Sequence, residues 1–66
     1  MNVKIIPKVQ RAKNRVNEHG EVMKLHNESK FQGQPAILVE SLGDTWRGEK
    51  WKGWFTADEI EFEKLL

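Results

Sequence analysis

Trp46-Arg-Gly-Glu-Lys-Trp51-Lys-Gly-Trp54-Phe55 holds all three tryptophans of the chain and one of its three phenylalanines within ten residues. Trp46-Arg-Gly is echoed by Trp51-Lys-Gly. Large rings interleaved with Lys, Arg and Gly serve one of two ends. They close a very small core, or they present a wet, aromatic binding face. Gly48-Glu49 reads as a turn that returns Trp46 and Trp51 toward each other across a hairpin. From Lys50 to Phe55 the chain reads as a strand. Trp51, Gly53 and Phe55 share one of its faces, and Lys52 and Trp54 the other.

Working outward, Pro35-Ala-Ile-Leu-Val-Glu-Ser41 is the clearest strand. It is short, β-branched and bounded by glycine-containing turns. Both of its faces are apolar, which predicts the central strand. Glu21-Val-Met-Lys-Leu-His26 predicts another strand, ended by the polar run Asn27-Glu-Ser-Lys30. Thr56-Ala-Asp-Glu59 matches a capping box, while Glu59, Glu61 and Glu63 alternate with Ile60 and Phe62. Together these predict one helical turn at 57–59 and then a last strand. The expected class is mainly β, with about five antiparallel strands. Trp51, Phe55, Phe31 and Phe62 are expected to fill the core with Ile37, Val39 and Ile60.

The 66 residues make one domain. A domain of this size buries about 60% of its extended surface. With no cysteine, neither a disulfide nor a cysteine-based zinc site can staple it. Stability then falls to aromatic packing or to self-association. No apolar run has the length of a membrane span, and the start lacks the apolar core of a signal peptide. A cytoplasmic protein is expected, with no membrane partner.

The net charge is only +1, but it is unevenly placed. Lys4, Lys8, Arg11, Lys13 and Arg15 crowd the first fifteen residues without an acid. Asp58, Glu59, Glu61 and Glu63 crowd the last ten. One reading lays the two ends side by side as complementary strands. Another sends the basic segment to a phosphate backbone. Val9, Ala12, Val16 and Gly20 fit a helix opened by Pro7, but its positive charge would sit unfavourably at a helix N-terminus. Residues 1–13 are therefore expected to form an extended basic arm, leading into a strand around 14–17.

Gly43-Asp-Thr-Trp46, Gly48, Gly53-Trp-Phe55, a short turn and Ile60 resemble the C-terminal half of an SH3 domain. In that family an acidic loop precedes a Trp, and a Gly-aromatic-apolar strand leads through one helical turn into the last strand. The resemblance covers about twenty residues. It implies a small SH3-like barrel, with Phe55 and Ile60 in the core, Trp46 near the exposed face and Trp54 at the rim. Members that bind Pro-rich peptides carry a Pro and a Tyr where Thr56 and Glu59 stand here. That activity, which needs parallel aromatic ridges, is not implied.

Catalytic chemistry finds no footing. His19 and His26 have no ligand spacing around them, and Ser29 and Ser41 lack a nucleophile elbow or a His partner. Glu40 and Asp44 lack a cleft that would raise a carboxylate pKa. No cofactor or metal is implied. The leading expectation is a non-enzymatic protein-binding module, a small accessory or inhibitory protein of the kind common in bacteria and bacteriophages. It would act through Trp46, Arg47, Lys52 and Trp54, residue types favoured at hot spots. The alternative is a nucleic-acid-binding barrel using Lys8, Arg11, Lys13 and Arg15 on phosphate, with Trp46 stacking a base. A third reading is a structural homo-oligomer, which would bury the aromatic patch between copies.

Overall fold

Asn2-Val-Lys-Ile-Ile-Pro7 alternates as a half-buried strand should, with Val3 and Ile5 turned into the core. It is β1 (Asn2–Pro7) of a computed structural model that describes residues 1–43 and 50–65. Helix α1 (Gln10–His19) follows, then β2 (Val22–Phe31), β3 (Gln34–Ser41), β4 (Lys52–Thr56) and β5 (Ile60–Leu65). The protein is mainly β. Among the described residues, five strands form one antiparallel sheet in the order β4-β3-β2-β1-β5. The chain turns at 57–59, and β5 then returns to pair with β1 along its full length.

The core gathers Val3, Ile5, Ala12, Met23, Ile37, Val39, Phe55 and Ile60, with Val16, Leu25, Trp51 and Phe62 packed against it. The expected places of Phe55, Ile37, Val39 and Ile60 are therefore met. Phe31 is not a core residue; it is 57% exposed.

Two features of β2 differ from the sequence expectation. The strand runs on through the polar stretch Asn27-Glu-Ser-Lys30 to Phe31. Here it forms the exposed arm of a hairpin with β3. The two-residue turn has Gln32 at φ 50° and Gly33 at φ 81°, the left-handed pair that matches strand twist in a tight hairpin. The sheet's middle strand is β2, not β3. The outer face of β3 carries buried Ala36 and half-buried Leu38 and Glu40.

The largest correction concerns residues 1–19. They do not form an extended arm with a strand at 14–17. Residues 2–7 are a fully paired strand, and Gln10–His19 is a helix. Its first turn has no acidic residue and no side-chain cap, which is what local reasoning counts against it. Distant carboxylates supply the compensation. Arg11 Nη1 donates to Glu59 Oε2 at 2.6 Å, and Lys8 Nζ lies 3.7 Å from Glu61 Oε1. Ala12 is fully buried, and Val16, one turn on, packs against the core. Gly20 ends the helix at φ 93°, its N–H donating to the Val16 carbonyl at 2.8 Å. The basic and acidic ends of the chain thus do complement each other, with Lys4 opposite Glu63 in the β1–β5 register.

Candidate functional site

Directly opposed residues of an antiparallel pair share a face. The register therefore gives three rows across the outer face of β2, β3 and β4. Lys24, Glu40 and Lys52 form one row, and Asn27, Leu38 and Trp54 the next. Ser29, Ala36 and Thr56 form the third, with Phe31 beyond it at the hairpin end. Lys52 and Trp54 point outward because Gly53 and Phe55, alternating with them, point to the core side. Trp54 is 44% exposed. The expectation for β4 is met on both faces.

Phe31 joins this face through a bulge. Strict alternation from Met23 and Leu25 would turn Phe31 inward. The β2–β3 register shifts between Leu25 and Asn27, so one residue, His26, is extra. One extra residue reverses the facing of everything after it. Phe31 emerges outside, and with Trp54 it borders a groove of about 410 Å³ over Ala36. Nothing in the local sequence announces the bulge. The available hint was the polar run before Phe31, which is poor company for a core aromatic.

The bulged His26 is held by Glu40, with His26 Nε2 3.3 Å from Glu40 Oε1. The hydrogen bond from His26 holds the Glu40 carboxyl below the usual glutamate range; burial opposes it, and the charges of His26, Lys52 and Lys50 each add a smaller lowering effect.

The inner face of β4 is occupied by structure rather than by a site. Arg11, Arg15 and His19 recur every four residues and form one stripe of α1. The Arg11 guanidinium lies 5.6 Å from the Phe55 ring centre, and that of Arg15 5.9 Å from Trp51. The His19 ring stacks on Trp51 at 5.0 Å and 10°. Trp51 folds along the strand over Gly53, where an added Cβ would meet its ring at 2.5 Å. Behind it Ser41, 1% exposed, ties both ends of the connection between β3 and β4. The Ser41 Oγ accepts from the Trp51 N–H at 2.9 Å and donates to the Gly43 carbonyl at 3.0 Å.

These contacts decide where each expected site residue stands. Lys52 and Trp54 share the outer face. Trp46 and Arg47 lie outside the described residues, as does the turn read at Gly48-Glu49. The basic residues expected to reach phosphate are scattered and largely engaged. Arg11 is bound by Glu59, Arg15 Nη1 donates to Glu18 Oε2 at 3.2 Å, and Lys8 Nζ donates to the Ala57 carbonyl at 3.1 Å. Lys13 alone of the four has no carboxylate partner among the described residues. No extended arm carries them, because α1 is packed on the core.

Among the described residues no three His, Asp or Glu side chains gather as a metal site, and no helix is long and apolar enough to cross a membrane. A second groove, of about 390 Å³, lies between Pro35, Ile60 and Phe62 with Lys8 at its rim. Comparison with protein-family models, curated proteins and solved structures finds no match.

Proposed function

We propose that the chain is a non-enzymatic protein-binding module that engages its partner through the outer face of β2, β3 and β4. The observation that carries this reading is the pairing of two large exposed aromatics, Phe31 and Trp54, across a groove floored by small Ala36. A domain short of apolar surface gains nothing for its own stability by leaving these rings outside. Exposed aromatics bordering a pocket with cations nearby are the composition of interface hot spots. An SH3-like barrel is a scaffold that hosts such binding roles. The return of β5 to β1 after the turn at 57–59 supports that reading of the fold. On this scaffold the protein acts as a small accessory or inhibitory factor that occludes a partner's surface.

The nucleic-acid reading loses support at the N-terminal segment, where Lys8, Arg11 and Arg15 are engaged within the fold. Nonspecific phosphate binding needs several free cations together.

Affinity capture from a lysate of the host, with and without nuclease, tests the proposal. A stoichiometric protein should survive nuclease and be lost when Trp54→Ala is the bait. Capture that disappears with nuclease, or that ignores the substitution, would overturn it.

A further inference from the structure

We propose that two copies of this chain associate through the free edge of β2, with Asn27 to Phe31 pairing antiparallel to the same segment of the second copy. The contact is made by the strand edge rather than by the groove of the outer face, so it stands or falls apart from the protein-binding reading above.

The backbone leaves this edge open. β1 covers β2 only as far as Leu25, whose N–H donates to the Met1 carbonyl at 2.8 Å. From His26 to Phe31 every residue of β2 is exposed, and β3 is their one paired neighbour among the described residues. The Pro35 carbonyl accepts from the Ala57 N–H at 2.9 Å, so it points away from β2. Lys30, opposite Pro35, therefore turns its own N–H and C=O away from β3, and by alternation so does Glu28. These backbone groups have no partner among the described residues. A row of unpaired N–H and C=O groups is a template for another strand.

The side chains select a second copy as that strand. Lysine on an edge ordinarily guards it, because like charges set directly opposite each other are destabilising. In the register centred on Ser29, however, Glu28 of each copy stands opposite Lys30 of the other. Both of these pairs join residues whose backbone groups point outward, so each pair exchanges both of its N–H···O bonds. Lys30 has no carboxylate within 4.0 Å among the described residues. Glu28 gives Oε2 to Lys64 at 3.1 Å, which leaves Oε1 to accept from the second copy's lysine. The other edges do not offer this match. The Lys8 N–H donates to the Glu59 carbonyl, so β5 directs the backbone of Ile60, Phe62 and Lys64 outward. Pairing β5 with its own copy about Glu61, Phe62 or Glu63 then sets glutamate against glutamate. On β4 the outward N–H and C=O of Thr56 are already taken by Glu59. The two-fold axis through Ser29 stands perpendicular to the sheet and leaves the outer faces of both copies on the same side. A ladder this short makes a weak, concentration-dependent dimer.

The test is sedimentation equilibrium of the full chain from about 10 µM to about 1 mM, the span of weak association. The unmodified chain should show a reversible dimer. Glu28→Lys or Lys30→Glu alone sets like charges opposite each other in both pairs and should weaken the dimer about tenfold or more. Mixing these two variants should restore association as a heterodimer, because each supplies the charge the other lacks, and recovery on mixing also shows that both are folded. Ser29→Cys provides the sole thiol in a chain without cysteine. It should oxidise to a covalent dimer faster than Asn27→Cys or Phe31→Cys, because only at the axis does a residue meet itself, with Cα atoms about 4.5 Å apart and within disulfide range.

A monomer over the whole range would overturn the inference. So would a dimer that both single charge substitutions leave intact, or single variants that stay monomeric when mixed. A dimer lost in Trp54→Ala and indifferent to the charge substitutions would overturn the edge in favour of the outer face.

Discussion

Gly53→Ala is a demanding test of the packing behind the binding face. An added Cβ would stand 2.5 Å from Cζ2 and 2.9 Å from Cη2 of Trp51. Carbon pairs rest at about 3.5–4.0 Å, so the ring must retreat by roughly 1 Å. It has little room to do so. His19 is stacked on the Trp51 ring at 5.0 Å, and Phe55 meets it at 5.7 Å. Overpacking of this kind costs about 1–3 kcal/mol. Replacing a strand glycine returns about 0.5–1 kcal/mol of backbone entropy. The net loss expected is about 1–2 kcal/mol. In a domain this small each kcal/mol shifts the melting temperature by about 4–8 °C, so thermal unfolding followed by circular dichroism should show a clear drop. The argument is specific to one contact, which a double-mutant cycle isolates. In a Trp51→Ala background, Gly53→Ala should cost nothing or stabilise slightly. Gly43→Ala, whose Cβ meets nothing within 4 Å among the described residues, serves as the control and should stay within about 0.5 kcal/mol. Equal losses for Gly53→Ala with and without the Trp51 ring would refute the reasoning.

Ser41→Ala removes two hydrogen bonds from a buried site and leaves the Trp51 N–H and the Gly43 carbonyl without this partner; urea unfolding should show a loss of about 1–3 kcal/mol. Gln32→Asn relieves a left-handed residue in the hairpin turn and should raise stability by about 0.5–1 kcal/mol, read from the same unfolding curves. The Glu40 carboxyl should titrate below the usual glutamate range by carbon-detected NMR and move back toward it in His26→Ala. Its stabilising contribution is full above the ordinary glutamate value and lost as the pH falls through the depressed folded value, so an unchanged midpoint in His26→Ala would contradict the assigned hydrogen bond.

What could be read from the sequence is what local rules control. The apolar run of β3 and the two faces of β4 follow from side-chain alternation. The turn before β5 follows from Thr56 and Glu59, whose capping contact is present: the Thr56 N–H donates to Glu59 Oε1 at 3.1 Å. What was not legible depends on distant partners. Helix α1 lacks the acids and caps that announce a helix, because Glu59 and Glu61, some fifty residues away, supply its negative charge. Phe31 is misplaced by alternation because one extra residue at His26 reverses the faces, and no composition rule marks that residue. Of the candidate binding residues, Lys52 and Trp54 were readable from strand period. Phe31 required the bulge to be known.

Hydroxyl-radical footprinting of the free chain and of its complex with the captured partner tests the central claim most directly. The account predicts that Phe31 and Trp54 react readily in the free chain and are protected in the complex, while buried Phe55 is unreactive in both. Protection confined to α1, or a Phe31 already shielded in the free chain, would contradict it.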